Sequence, residues 1–274
     1  MNDKELKLEK KYYSVISNDL IRHHQSMTLR EMQLLQLVIS NVVKTDDDFY
    51  TYTTTATKLS KFLGIKQQSL YRDLDELTDK LMKRIIKDTV GSEVIKIHWV
   101  DKCTYNTDTK LLTIRLHTDL KPYLLDLKRF YSKINVETLI TFKSYYTLRI
   151  YQIIVCEHGA KQQEDFYFSC DELRTLFEIP KNKYKLNADL IKRTIKAALD
   201  ELNESDYCHI FNYVEDRADT RGKPLQGVSF SVFLFDNKED KKAHMNAYEK
   251  YKDLIEPPMQ GQLSFLDDEG SSHE

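Results

Sequence analysis

Lys58-Leu59-Ser60-Lys61-Phe62-Leu63-Gly64-Ile65 and Glu172-Leu173-Arg174-Thr175-Leu176-Phe177-Glu178-Ile179 place apolar side chains at the same four positions, with the same offset in residue number. Each block follows an alternating aromatic and Thr/Ser run, Tyr50-Thr51-Tyr52-Thr53 or Phe166-Tyr167-Phe168-Ser169, and precedes a longer amphipathic segment. In those segments Leu70, Leu74 and Leu81 correspond, at a slightly larger offset, to Ile191, Ile195 and Leu202. Strand, short helix, turn and longer helix in that order predict a helix-turn-helix. Two copies predict two DNA-reading modules in one chain.

The first module is entered through Thr28-Leu29-Arg30-Glu31, a Thr-x-x-Glu capping box opening a helix with Leu29, Met32, Leu35, Leu37, Val38 and Val42 inward. Gly64 suits the turn of the helix-turn-helix, and Lys66 to Ser69 open its second helix. There Leu70, Leu74, Leu77 and Leu81 form the buried stripe, leaving Lys66, Gln67, Gln68, Ser69 and Arg72 to approach DNA. Asp73, Asp75, Glu76 and Asp79 offset the bases further along, so packing, DNA contact and a dimer surface all stay open for this helix. Two β-like runs, Glu93 to Val100 and Leu111 to Leu116, joined by the polar Asp101 to Lys110, predict a wing.

The second module begins with an apolar helix across Thr141 to Glu157, then the capping box Ser169-Cys170-Asp171-Glu172 and a short helix ending at Ile179 before Pro180. A basic loop follows, Lys181, Asn182, Lys183, Tyr184 and Lys185, and Asn187 is placed to cap the next helix, whose core stripe is Ile191, Ile195, Ala198 and Leu202. Lys192, Arg193 and Lys196 fall on the opposite face, with Asp189 the only acid nearby. Such a surface neutralises phosphates, and its Asn, Lys and Arg side chains can reach base edges. Two β runs, Tyr207 to Val214 and Val228 to Phe235, flank a longer basic wing, Glu215 to Gly227, carrying Arg217, Arg221 and Lys223.

The fold class is therefore α+β: a winged-helix domain over residues 1–130, a second over 131–238, and a charged, partly disordered tail over 239–274. No Gly/Ser-rich or Pro-rich linker separates the modules, so they are expected to be held close. Against 43 acidic residues stand 41 basic ones, a net charge of -2, which restricts any nucleic-acid surface to a local patch. The scattered Cys103, Cys156, Cys170 and Cys208 read as reduced thiols. Met1 to Lys11 lacks the apolar core of a secretory signal and no run is long enough to span a bilayer, so a soluble, cytoplasmic protein is expected.

Several chemistries are disfavoured. No phosphate-binding Gly-x-x-x-x-Gly-Lys-Ser/Thr loop occurs, and no local motif marks a nucleophilic triad. His23-His24 resembles the metal-holding pair of rolling-circle nucleases only loosely, being adjacent rather than separated by an apolar residue, with no catalytic Tyr motif nearby. Leu20, Met27 and Leu34 repeat by seven but are too few for a zipper, so core packing is expected. A binder without cofactor or metal is favoured over an enzyme.

Ser17-Asn18-Asp19-Leu20-Ile21 and Met27-Thr28-Leu29-Arg30-Glu31-Met32-Gln33-Leu34-Leu35 resemble the opening of theta-type plasmid replication initiators of the Rep_3 type. Ser144-Tyr145-Tyr146-Thr147-Leu148-Arg149-Ile150-Tyr151, the Leu173 to Ile179 block and the Tyr184 to Leu202 helix continue the likeness, which extends over most of residues 12–235. The resemblance implies two winged-helix domains that bind directly repeated origin sites, called iterons. It also implies opening of the adjacent duplex and recruitment of host replication proteins such as a helicase and an initiator ATPase. Many members bind as monomers and form dimers that limit copy number, and the carboxyl-terminal module is usually the main reader. Gln262-Leu263-Ser264-Phe265-Leu266 is similar to the sliding-clamp pattern Gln-Leu-Ser/Asp-Leu-Phe with the last two residues exchanged, which makes Gln262, Leu263, Phe265 and Leu266 candidate partner contacts. The other reading is a tandem winged-helix transcriptional repressor binding a promoter operator.

Overall fold

The computed structural model describes residues 3–90 and 92–255. The tail candidates Gln262, Leu263, Phe265 and Leu266 lie outside the described residues. In chain order the elements are β1 (Asp3–Glu5), β2 (Tyr13–Ser17), α1 (Asn18–Arg22), α2 (Leu29–Ile39), β3 (Thr51–Thr55), α3 (Ala56–Phe62) and α4 (Gln67–Lys83). Four strands follow, β4 (Ile85–Val90), β5 (Glu93–His98), β6 (Val100–Tyr105) and β7 (Leu111–Leu116), then α5 (Lys121–Leu124), β8 (Tyr131–Asn135), α6 (Val136–Thr141) and α7 (Tyr145–Lys161). The second half has β9 (Asp165–Ser169), α8 (Cys170–Leu176), α9 (Asn187–Ile191), α10 (Ala197–Glu204), β10 (Cys208–Arg217), β11 (Leu225–Leu234) and α11 (Lys238–Ile255).

The two blocks fold alike down to single hydrogen bonds. Thr55 and Ser169 cap α3 and α8 by accepting from the amides of Lys58 and Glu172. Each helix then ends in the same three bonds: Leu63 N–H to Leu59 O, Gly64 N–H to Lys61 O and Ile65 N–H to Ser60 O recur as Phe177 to Leu173, Glu178 to Thr175 and Ile179 to Arg174. This is a Schellman-type end, which needs a left-handed residue. Gly64 supplies it at φ 64°, while the second copy holds Glu178 at φ 48°. Leu59 and Leu173 are fully buried beneath the two turns. The sheets agree as well: order β6-β7-β3 in the first module, with β1 added parallel to β3, and β10-β11-β9 in the second.

Several sequence expectations are corrected. Of the run Glu93 to Val100, only Val100 pairs with Leu111–Leu116; Glu93–His98 pairs with β4, in a hairpin inserted between α4 and the winged-helix sheet. The partner of β7 is β6, drawn from the segment read as a polar connection. That segment is a strand because Asp101, Cys103 and Tyr105 alternate inward with exposed Lys102 and Thr104, and Asp101 is met by Arg115 at 2.5 Å from β7. The helix expected over Thr141 to Glu157 starts only at Tyr145, where Ser144 caps it by accepting from Tyr146 N–H, and Thr141 ends the preceding α6. The helix expected to reach Ile179 stops at Leu176. The second wing is shorter than expected, since β10 and β11 reach Arg217 and Leu225 and leave residues 218–224 as its turn.

β8, just beyond residue 130, pairs antiparallel with β2, and α6 packs on α2, so the chain after that point returns to the amino-terminal half. The halves are joined by more than proximity. Arg149 of α7 is 1% exposed and donates to Ile21 O (2.8 Å), His23 O (3.1 Å) and Gln152 Oε1 (2.9 Å), closing the carbonyl end of α1. Arg22 reaches Glu157 at 2.6 Å, Tyr145 OH donates to Gln25 O at 2.7 Å, and Gln25 N–H donates to Leu176 O. Leu20, Met27 and Leu34 are buried core residues of this region. The cysteines are free thiols, and burial pushes Cys103 and Cys208 up to about 12. Among the described residues no helix is long and apolar enough to cross a membrane.

Candidate nucleic-acid interface

The second helix-turn-helix departs from the first in its turn. After Ile65 the first copy needs only Lys66 before α4, whereas the second inserts Pro180 to Leu186 before α9. Those added residues carry Lys181, Asn182, Lys183 and Lys185, all exposed. Arg174, at the position of the buried Ser60 in the first copy, holds this loop: its guanidinium donates to Lys183 O at 3.0 Å and to Tyr184 O at 2.5 Å. Lys183 N–H closes the loop onto Pro180 O at 2.9 Å.

Tyr184, at φ 52°, is the hinge of the surface. Lys183 Nζ lies 5.1 Å and Arg193 Cζ 6.0 Å from the centre of its ring, so one aromatic ring gathers a loop cation and a helix cation. Burial, then a hydrogen bond with Tyr184, raises the Tyr146 phenol above its ordinary value, which ties the loop back to α7. The sequence reading counted Tyr184 in the loop without giving it a role and placed Arg174 only in the repeated block, so the organising part of both was missed. The one signal for Arg174 was an Arg where the first block has Ser60.

From Asn187 to Glu204 the second helix is continuous, but Lys192–Lys196 forms a π turn, with Thr194 Oγ1 donating to Leu190 O at 2.7 Å. Leu190, Ile191, Ile195, Ala198 and Leu202 are buried, and Lys192, Arg193 and Lys196 are exposed. Asp189 is not the only acid nearby, because Lys196 pairs with Asp200 at 2.8 Å and also lies 4.9 Å from the Tyr213 ring. An exposed pair of this kind contributes about 0–1 kcal/mol, so a phosphate can take the lysine over. Asn187 does not cap its helix; its Nδ2 donates to Leu225 O at 2.8 Å and joins the helix start to the wing strand. Arg217 is engaged within the wing, with Glu215 at 2.5 Å and Lys223 O at 3.3 Å. Arg221 and Lys223 stand exposed on its turn, where Gly222 and Lys223 have φ of 86° and 40°.

The first recognition helix offers less. Gln67 Nε2 donates to Thr57 Oγ1 at 2.9 Å and to Tyr71 OH, and Arg72 pairs with Asp73 at 2.8 Å. Ser69 is half-buried and lines a cleft against the start of α2. Lys66 and Gln68 are exposed at the helix opening, while Lys80 and Lys83 are paired with Glu76 and Asp79. The carboxylates balance α4 along its length, whereas exposed cations of the loop and helix gather on the second module.

Loop, helix and wing thus define a tandem winged-helix protein whose second module carries the denser group of exposed cations. Its descent is equally definite. The chain belongs to the initiator replication protein family: residues 14–155 match the model described as Initiator Replication protein, WH1, and residues 169–232 the model described as Initiator Rep protein, WH2. Among solved structures, the crystal structure of the Pi initiator protein in complex with iteron DNA is similar in fold, with a TM-score of 0.63 and 16% identity over 83% of this chain and 99% of that one. The WH1 domain of MSBI1.176, a replication protein isolated from a multiple sclerosis patient, aligns with 34% of this chain and 77% of its own at 19% identity and a TM-score of 0.27. No curated protein sequence matches the chain.

Proposed function

We propose that this chain is a plasmid replication initiator that binds repeated sites, iterons, in the double-stranded DNA of its own origin. It promotes opening of the neighbouring duplex and recruits host replication proteins, without catalysing a reaction itself. The observation that carries the reading is the Arg174-clamped loop, which carries exposed Lys181, Lys183 and Lys185 and brings Lys183 to the same tyrosine ring as Arg193 of the helix; a helix entering the major groove meets both flanking phosphates and base edges. A bidentate Arg or Lys contact to guanine adds about 1–3 kcal/mol of discrimination. Self-association between monomer and dimer, and docking of a helicase, an initiator ATPase or the sliding clamp, belong to the same reading.

Footprinting on the DNA flanking the gene, with the wild type and a Lys192→Ala/Arg193→Ala double variant, tests it. Protection of several direct repeats, lost in the double variant, is expected. A single protected operator would point to a repressor instead, and absence of protection at low salt would end the DNA-binding reading.

A further inference from the structure

The second helices of the two modules bury their residues at different spacings. In α4 the buried positions are Leu70, Leu74, Leu77 with Thr78, and Leu81, a spacing that an ordinary helix of about 3.6 residues per turn keeps on one face. The other helix repeats every four residues instead. Leu190 and Ile191, Thr194 and Ile195, Ala198 and Leu199, then Leu202 are buried, with Lys192, Arg193, Lys196 and Ala197 exposed between them. Each step of four overshoots a regular turn by about 40°, so three steps would carry Leu202 about 120° away from Leu190. The π turn at Lys192–Lys196 takes in one extra residue, about 100° of rotation, and returns both to the core.

Two features fix this wide turn. Thr194 is fully buried, and its hydroxyl donates to Leu190 O at 2.7 Å, a bond to the carbonyl four residues back that bends a helix. The helix is also fastened on both sides of the turn, so it cannot rotate as a whole. Before the turn, Asn187 Nδ2 donates to Leu225 O at 2.8 Å. After it, Glu201 accepts from Lys143 N–H at 2.5 Å and from the Thr147 hydroxyl, and Asn203 Oδ1 accepts from Ile210 N–H at 3.0 Å. The turn therefore decides where its own exposed cations point. Arg193 lies by the Tyr184 ring of the loop and Lys196 by the Tyr213 ring of the wing strand, although residues three apart are neighbours on an ordinary helix.

We infer that Thr194 is a positioning residue for sequence recognition, which holds the π turn open and thereby aims Lys192 and Arg193 at base edges. A closed turn would leave the same cations on the surface, with the same pull on phosphates, but would swing these two side chains by about 100°. General attraction to DNA and preference for one sequence thus depend on different parts of the helix. The inference rests on the reading of this chain as an origin-binding initiator.

The test compares, by anisotropy, binding of the full chain to a duplex from the DNA flanking the gene and to a scrambled duplex of the same composition. Thr194→Val keeps the shape and removes the hydroxyl; it should lower the preference for the flanking duplex about ten-fold, with the salt slope on the scrambled duplex unchanged. Thr194→Ser retains the hydroxyl and should keep the preference. In an Arg193→Ala background, Thr194→Val should cost no more than about three-fold, because little is left to position. Urea melts show whether each variant is folded, and Thr194→Ala takes the place of Thr194→Val should that variant not be. Unchanged preference in Thr194→Val, an equal loss in Thr194→Ser, or a loss above about three-fold that persists without Arg193 overturns the inference alone. A wild type that binds both duplexes alike, or neither, removes the initiator reading itself.

Discussion

Replacing Arg174 by Met removes the two donors that fix Lys183 O and Tyr184 O while keeping the bulk of the side-chain stem. A hydrogen bond from a charged donor contributes about 1.5–3 kcal/mol, and these carbonyls are open enough to regain water, so the lower end applies. Tyr184 holds a left-handed backbone that costs about 1 kcal/mol, and without the clamp it relaxes. Re-ordering Lys183 and Tyr184 on DNA then costs about 1 kcal/mol of backbone entropy for each residue. A net loss of about 2 kcal/mol corresponds to roughly thirty-fold weaker binding. Anisotropy titrations on an origin duplex at several salt concentrations separate this from a direct contact. Each phosphate contact carries about 0.9 of the slope of log K against log salt. Arg174→Met should bind more weakly with the slope unchanged, whereas Lys183→Ala should lower the slope by about 0.9. Arg174→Lys should rescue little, because a point charge cannot bridge two carbonyls as the planar fork does. Wild-type affinity in Arg174→Met, or a slope reduced as in Lys183→Ala, would refute the positioning argument.

Glu178→Gly should stabilise the protein by about 0.5–1 kcal/mol in urea melts, since relief of the left-handed penalty exceeds the added freedom of the unfolded chain. Gly64→Ala should cost about 1 kcal/mol in the same assay, although nothing lies within 4 Å of the added methyl. Arg149→Ala should destabilise by about 3 kcal/mol or more, as the carbonyls of Ile21 and His23 lose their donor in a buried site; a loss below 1 kcal/mol would contradict this. His209 Nδ1 and His244 Nε2 lie 3.0 Å apart, and burial, then the charge of Lys241, lowers the His244 pKa. The neutral form is therefore favoured in the fold, so the contribution of α11 docking is fully present above pH 6.5 and is lost as pH falls below it. Protection of the α11 amides, corrected for intrinsic base-catalysed exchange, should fall as pH drops below 6.5, and His244→Phe should remove that dependence.

The helix-turn-helix blocks could be read from the chain because a cap, a buried Leu and a turn recur at fixed spacing, and each is a local device. Where local signals compete, the reading failed. β4 follows α4 without any turn residue, since Arg84 passes straight from helix cap to strand, so the inserted hairpin was invisible. Asp101–Tyr105 reads as polar because its inward partners include an Asp whose charge is answered by Arg115 from another strand. Asn187 has the right residue type for a cap, yet the carbonyl of Leu225, far along the chain, competes for its amide. The basic residues of the second module were evident in composition. Their arrangement was not, because Arg174 and Tyr184 organise them through backbone carbonyls that carry no sequence mark.

The bonds from Arg149, Arg22, Tyr145 and Gln25 that weld the two halves have a consequence for any duplex that the chain engages with both. A flexible tether would let each reader find its own groove, and the spacing of a site would hardly matter. Welded readers act as a ruler instead. Inserting about five base pairs, half a helical turn, between the portions of the site they touch would carry the second portion to the far side of the helix. The DNA would then have to twist or bend to comply, so the phase of a site becomes as much a part of its identity as its sequence.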